Sequence, residues 1–304
     1  MNTLNRRQVL CLTSTWLLHS TSGAATANTA PHISYAPLAA LEKQAGGRLG
    51  VAFLNTSNGS VVGHRMHDRF GMCSTFKLAL AVEILRKVDQ GTLKSDQWVP
   101  FGKADMVNHA PVASQHLARG GMTVQAMAEA IQATSDNVAA NALLKLLGGP
   151  AAFTQLLRAA GDNVTRLDRI EPEMNFVDSG EVRDTTTPHA AAHTMQRQLT
   201  RGWLKPDSTR LLIGWMEATE TGAKRLRAGF PSDWRSGDKT GTGMAKGMAD
   251  KYNDIAIAWP PGKAPLIVTA YYEAKENRGG IIRDEDQAVL AEVGRIAAAW
   301  SLAG

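Results

Sequence analysis

Ser74-Thr75-Phe76-Lys77 opens a run, Leu78-Ala79-Leu80-Ala81-Val82-Glu83-Ile84-Leu85, that is apolar enough to form a helix buried on most sides. A serine in the first turn of such a helix sits in the positive field of unpaired N–H groups, and a lysine three residues on projects from the same face. The pattern therefore sets an amine beside a hydroxyl. An unactivated serine is a poor nucleophile at neutral pH, so a basic neighbour that can take its proton is the least that covalent catalysis requires. Alone, S-x-x-K is also what a capping serine followed by a surface lysine would give. The rest of the chain has to decide.

Before this helix the spacing predicts a first helix over Pro37 to Ala45, then strands Leu49 to Leu54 and Val61 to His64 joined at Ser57-Asn58-Gly59, an Asn-Gly hairpin signal. After it come helical runs over Val124 to Ala133, Asn137 to Leu147, Ala151 to Ala159, Pro188 to Leu199 and Ser208 to Ala218. Beyond Gly229 the pattern returns to short β-rich runs, Trp234 to Lys239, Ile255 to Trp259 and Leu266 to Tyr272, and Asp284 to Ala299 reads as a closing amphipathic helix. The fold expected is α/β plus all-α. An antiparallel sheet flanked by terminal helices takes strands from both ends of the chain, 28–73 with 219–304, and a helical domain, 74–218, is inserted between them. A groove between the two halves is then the natural place for a site.

The bulk numbers fit. The chain has 304 residues, 44% hydrophobic and 20% charged, with ample apolar material for a core. Asn5-Arg6-Arg7-Gln8-Val9-Leu10 is a paired-arginine start, and Ala25-Thr26-Ala27 offers an A-x-A cleavage site. Residues 1–27 therefore read as a twin-arginine export signal, with a general secretory signal as the alternative, and the mature protein as periplasmic or secreted. Cleavage removes Arg6 and Arg7 and no acid, so the formal charge falls from +5 to +3, too little and too dispersed for a nucleic-acid partner. It also removes Cys11 and leaves Cys73 alone, so no disulfide forms within the mature chain. No stable membrane anchor is expected, and a monomer is the default.

Three further stretches carry chemistry. Ser135-Asp136-Asn137 lies where one helical run gives way to the next. Lys239-Thr240-Gly241-Thr242-Gly243 ends a predicted strand, where glycines allow close approach to the backbone. Glu171-Pro172-Glu173-Met174-Asn175 is non-helical, because Pro172 forces Glu171 out of helical geometry. Singly, each has a bland reading as a helix cap, a strand end or an exposed loop. Together, S-x-x-K, S-D-N and K-T-G in that order are the signature of class A β-lactamases and penicillin-binding proteins.

Over essentially the whole mature chain the sequence resembles the class A serine β-lactamases, including Arg69-Phe70-Gly71-Met72-Cys73-Ser74, Thr134-Ser135-Asp136-Asn137-Val138-Ala139-Ala140-Asn141 and Gly161 to Arg169. The resemblance implies that Ser74 attacks a β-lactam carbonyl and that Lys77 holds or accepts its proton. Lys239 nearby should help to lower the Lys77 pKa. Whether Lys77 or Glu171 starts acylation stays open. Ser135 would pass a proton to the ring nitrogen, with Asn137 fixing Lys77 and the substrate amide, and the backbone N–H groups of Ser74 and Thr242 would form the oxyanion hole. Glu171, aided by Asn175, would activate water for deacylation, in a loop closed by Arg169 and Asp184. Lys239, Thr240, Gly241 and Thr242 would receive the substrate carboxylate. No arginine stands on the following strand, and Arg225 matches the position where some members carry a compensating one, with a surface role as the alternative.

Three departures bear on substrate choice. His109 stands where members usually have an aromatic residue at the groove mouth. The segment Met244 to Lys251 is longer than is usual in the family by about four residues. Gly243 replaces the cysteine that would pair with Cys73 in serine carbapenemases. The eight histidines show no H-x-H or H-E-x-x-H spacing, so no metal is expected, and no cofactor. The reading is an exported serine hydrolase of β-lactams. Its rivals are a D-alanyl-D-alanine peptidase, which would not need Glu171 to Asn175, and a β-lactam-sensing domain.

Overall fold

The computed structural model describes residues 35–277 and 279–303, and the expected signal segment lies outside them. The chain begins with α1 (Ala36–Ala45), β1 (Arg48–Asn55), β2 (Val61–His64), the two-residue β3 (Phe70–Gly71), a 3-10 turn over Cys73–Thr75 and α2 (Phe76–Asp89). Its middle holds β4 (Trp98–Pro100), α3 (Ala113–His116), β5 (Gly121–Thr123), α4 (Val124–Ala133), α5 (Asn137–Leu147), α6 (Pro150–Ala159), β6 (Thr185–Thr186), α7 (Pro188–Thr200) and α8 (Pro206–Glu217). It closes with α9 (Leu226–Gly229), β7 (Arg235–Gly243), β8 (Lys251–Trp259), β9 (Leu266–Glu273) and α10 (Asp284–Ala303).

Helix starts follow side-chain chemistry. Thr123, Asp136 and Thr187 each accept a hydrogen bond from the backbone N–H three residues on, at the first turns of α4, α5 and α7, and Pro188 occupies the first helical position of α7. These caps explain why the three helices begin where the sequence pattern says they should.

The main sheet is antiparallel in the order β2-β1-β9-β8-β7, so strands from both ends of the chain meet at β1 and β9. Both of its faces are covered, which is why these strands read as nearly continuous apolar runs. Leu49, Val51 and Phe53 of β1 join Val268, Ala270 and Tyr272 of β9 in a core shared with α1, α9 and α10. Ala52 and Leu54 point the other way, with Ile267 and Tyr271, into the core that also takes α2, α4 and α5. Helix α7 packs against β1 and β9 on this second side, and the Thr269 hydroxyl donates to Pro188 O at 2.8 Å. One helix of the central block therefore belongs to the sheet layers.

Helix α2 is the hub, touching α4, α5, α7 and α8 and burying Phe76 through Leu78 and Leu80 through Leu85. Each large aliphatic side chain buried there contributes about 1.5–3 kcal/mol. One boundary moves: the strand expected over Trp234 to Lys239 runs as β7 through Thr240, Gly241 and Thr242 to Gly243, so Lys239-Thr240-Gly241-Thr242-Gly243 is its last part. Pairing with Asn253, Tyr252 and Lys251 of β8 carries the glycines in extended form where intrinsic propensity would end the strand. Strand β7 is the sheet edge, so one of its sides faces the groove.

Candidate active site

The turn Cys73–Thr75 is held from behind. The Asn253 side chain on β8 donates to Gly71 O at 2.8 Å and Met72 O at 3.0 Å, and Met72 N donates to Asp184 O at 3.0 Å. Cys73 is buried with φ 46°, a left-handed conformation that strains a residue with a Cβ and turns the next side chain, Ser74, toward the groove. Ser135 (φ 63°), His109 (φ 58°) and Asp184 (φ 57°) share this conformation, so left-handed residues gather around one site.

Gly241 also serves packing. A Cβ there would come within 2.8 Å of Met72 O and 3.2 Å of the Cys73 Cβ, so the missing side chain lets β7 lie against the serine turn.

Lys77 is wholly buried on the first turn of α2. Its ammonium donates to Ser74 Oγ at 2.8 Å, to Ser135 O at 2.9 Å and to Asn137 Oδ1, and lies 3.0 Å from Glu171 Oε1. Burial holds its pKa below the usual lysine range, while the Glu171 carboxylate pulls the other way. Across the groove Lys239, also wholly buried, donates to Ser135 Oγ at 3.1 Å and to Thr240 O at 2.9 Å. Burial and then the Lys77 charge push Lys239 down to about 7. The Ser135 hydroxyl thus lies between two lysines, 3.4 Å from Lys77 and 3.1 Å from Lys239. Its corner is rigid because Asp136, fully buried, accepts from Ala139 N, Val112 N and Ala113 N.

Glu171 meets Ser74 directly. It is 1% exposed, and Ser74 Oγ donates to its Oε1 at 3.3 Å while Asn175 Nδ2 donates to its Oε2 at 2.6 Å. Asn175 Oδ1 is buried with no protein partner. The sequence reading did not nominate Asn141, whose side chain accepts from Glu171 N at 2.9 Å and donates to Glu171 O at 2.8 Å. Its signal was available: Asn141 follows Asn137 by four residues on α5 and so shares its face.

At the base of this loop Asp184 is fully buried. It accepts from Asp168 N at 2.7 Å, Arg169 N at 2.9 Å and Arg169 Nε at 2.5 Å. A weak surface ion pair would not look like this.

Arg225 is 2% exposed and lies behind β7, which removes the surface alternative. It donates to Gly241 O at 3.0 Å, Asn253 O at 2.8 Å and Thr242 Oγ1 at 2.6 Å. Its flanking cations part company: Lys224 pairs with Asp284 at the surface at 2.8 Å, and Arg227 with buried Asp238 at 2.5 Å. The Thr240 hydroxyl is bonded to that of Thr221 at 2.5 Å, a second residue the sequence did not single out. His109 is exposed, its ring tied through Nε2–H to Thr134 O at 2.9 Å, and its carbonyl accepts from Asn137 N at 2.9 Å. Cys73 is unpaired, and burial pushes its thiol up to about 12. The structure thus gathers Ser74, Lys77, Ser135, Asn137, Glu171, Asn175 and Lys239 into one network, with Thr240, Gly241 and Thr242 along its edge.

Comparison with known proteins agrees with this geometry. Residues 35–300 match the model of the Beta-lactamase enzyme family. Beta-lactamase L2 of Stenotrophomonas maltophilia is 45% identical over 260 residues, 85% of this chain and 83% of that protein. The carbapenem-hydrolyzing beta-lactamase KPC of Klebsiella oxytoca is 37% identical over 296 residues, 97% of this chain and 96% of that one. Among solved structures, an ancestral class A β-lactamase superposes with a TM-score of 0.80 at 50% identity, covering 86% of this chain and 98% of its own. A β-lactamase from Burkholderia vietnamiensis gives 0.83 at 40%, covering 90% and 99%. The chain belongs to the β-lactamase enzyme family, among its class A members.

Proposed function

We propose that the protein hydrolyses β-lactam rings through an ester on Ser74, and so confers resistance to such antibiotics. The observation that carries the reading is the Glu171 carboxylate, 3.3 Å from Ser74 Oγ and braced by Asn175 and Asn141. A capturing site without such a base would keep its adduct.

Acylation forms the Ser74 Oγ–carbonyl bond and releases the hydroxyl proton. As an ammonium, Lys77 cannot take that proton. It becomes a base by passing one of its own to Glu171 Oε1, 3.0 Å away, a transfer that its burial favours. Glu171 is the alternative direct acceptor. The oxyanion would be held by the N–H groups of Ser74 and Thr242, brought together where Gly241 packs on the serine turn. Collapse breaks the ring C–N bond, and Ser135, placed between the two lysines, hands a proton to the departing nitrogen. The substrate carboxylate would lie against Lys239 and the hydroxyls of Thr240 and Thr242. Arg225 acts through the Thr242 hydroxyl it holds, and His109 flanks the mouth.

Deacylation needs a water that can reach the ester. Glu171, within 3.3 Å of Ser74 Oγ, is an acceptor for such a water, and Asn175, which donates to Glu171 through Nδ2, keeps a buried Oδ1 as a second. Lys77, recharged by the Ser74 proton, resupplies Ser135 and takes back the proton lent to Glu171. The Glu171 carboxylate is then free to take the water's proton as the hydroxide adds to the carbonyl, and that proton passes to Ser74 Oγ as it leaves.

The remaining parts of the reading are export through the leader with cleavage after Ala27, residence in the periplasm or outside the cell, action as a monomer, and a division of labour between 28–73 with 219–304 and the helical 74–218. Arg6-Arg7 and Ala25-Thr26-Ala27 support the leader. Among the described residues no helix is long and apolar enough to cross a membrane. Intact-mass spectrometry after mixing with a penicillin tests the function. Free enzyme and hydrolysed drug are expected within seconds, and a lasting adduct of the drug's mass would instead mark a penicillin-binding protein.

A further inference from the structure

Lys251, the first residue of β8, is a buried cation that the Ser74 network does not use. It is 3% exposed, and the acceptor its amine reaches among the described residues is Ala249 O at 3.5 Å, the outer limit of a hydrogen bond. Its stem passes two glycines: a Cβ at Gly71 would stand 3.2 Å from Lys251 Cε and 3.1 Å from Val177 Cβ, and one at Gly243 would stand 3.6 Å from Lys251 Cδ. Lys251 lines a cavity of about 580 Å³ that lies between 177–182, the outgoing limb of the Glu171 loop, and the turn 247–249. The carboxylates around this cavity are engaged elsewhere. Glu273 pairs with Arg48 at 2.8 Å, Glu181 with Arg183 at 2.5 Å and Asp68 with Arg65 at 3.6 Å, while exposed Asp178 accepts from Ser179 N at 2.8 Å. Arg69, also on the cavity wall, donates to neutral oxygens, Val164 O at 3.1 Å and Thr185 Oγ1 at 2.9 Å.

We propose that this cavity binds a small tetrahedral oxyanion, phosphate or sulfate, held by Lys251 and Arg69 between the outgoing limb of the Glu171 loop and the turn that leads into β8. A buried cation without a counter-charge is costly, and a doubly charged anion neutralises both side chains at once. The two donors suit the ligand, lysine as a point charge and arginine as a planar fork. The cavity is larger than the ion, so waters complete its hydrogen bonds. Gly71 keeps the place open, because a side chain there would fill the gap between Lys251 and Val177. Bound there, the ion would join the limb 177–182 to β3 and β8, the two strands behind the Ser74 turn, from the side away from the Ser74 network.

Thermal unfolding of the mature protein in rising potassium phosphate, with ionic strength matched by potassium chloride, tests this, and a second series in sulfate runs alongside. Both anions raise the melting temperature of any protein by exclusion from its surface, but that rise does not saturate. The site adds a component that saturates at about millimolar anion and amounts to about 3–5 °C at tenfold excess over Kd. Lys251→Met keeps the stem and removes the charge, so the saturable component should vanish while the anion-free melting temperature falls no lower than wild type, an unpaired buried cation being gone. Lys246→Gln, exposed on the same turn, should keep the wild-type shift. A wild type with no saturable component, an equal component in Lys251→Met, its loss in Lys246→Gln, or a Lys251→Met protein that melts well below wild type without anion, which would mean the amine is already partnered, overturns the site.

Discussion

Asp184→Ala tests whether the loop that carries Glu171 must be pinned for turnover. The substitution deletes an acceptor for Asp168 N, Arg169 N and Arg169 Nε, and puts alanine at φ 57°. At about 1–1.5 kcal/mol per net hydrogen bond the three contacts come to about 3–4 kcal/mol, and the left-handed backbone adds about 1 kcal/mol. For a chain of this size each kcal/mol lowers the melting temperature by about 2–4 °C, so a fall of roughly 10–15 °C is expected. Asp184→Asn keeps the backbone contacts and tolerates the same φ, and should lose only about 1–2 kcal/mol from the charge on Arg169. Kinetically the loss should be selective. Ser74 and Lys77 lie on the Cys73–Thr75 turn and α2, outside the loop, whereas Glu171 is inside it. Deacylation, which needs Glu171 to place a water as well as to take its proton, should fall by about a hundredfold, the scale of a misplacement near 1 Å, and acylation, in which Glu171 only exchanges a proton with Lys77 or Ser74, should fall by less. Stopped-flow hydrolysis of a chromogenic cephalosporin with intact-mass detection separates the two steps. Equal losses in both, or a destabilised protein that deacylates at the wild-type rate, would refute the reasoning.

Gly243→Cys should close a disulfide with Cys73, because a Cβ at 243 lies 2.8 Å from the Cys73 Sγ; thiol titration of the mature protein should fall from one group to none, and a persistent pair of thiols would contradict the geometry. Gly241→Ala should cost activity without a folding defect large enough to explain it, since its methyl meets Met72 O at 2.8 Å and pushes β7 off the serine turn; wild-type kcat/KM would show that this packing is unimportant. Lys239, held down at about 7, loses its charge as pH rises through that value, so KM for carboxylate-bearing β-lactams should climb up to about tenfold per pH unit above 7. Lys239→Arg should flatten the climb, and a wild-type KM constant from pH 6.5 to 9 would remove Lys239 from carboxylate recognition.

Local signals were legible and long-range ones were not. The boundaries of α4 and α5 read correctly because a 3.6-residue apolar period coincided with a capping Thr123 and Asp136. The ribbons Phe70–Gly71 with Thr185–Thr186 and Trp98–Pro100 with Gly121–Thr123 left no trace, since two- and three-residue strands have no period and their partners lie far along the chain. The β-rich run before the glycines was closed at Lys239 because glycine has poor strand propensity, while the pairing that carries β7 to Gly243 is decided by tertiary structure. The site residues were named from motifs, but their environments were not. Arg225 looked as exposed as Lys224 and Arg227 until the fold laid it behind β7, and nothing local marked Asp184 as wholly buried or Asn141 as the brace of the Glu171 backbone.

The central claim is that Glu171 drives water onto the Ser74 ester. Glu171→Gln keeps the shape and most of the hydrogen bonds and removes the base. Mixed with a penicillin and followed by intact mass, it should gain the drug's mass and keep it while Ser74→Ala stays unmodified. Glu171→Gln turning over at the wild-type rate with no adduct would contradict the account.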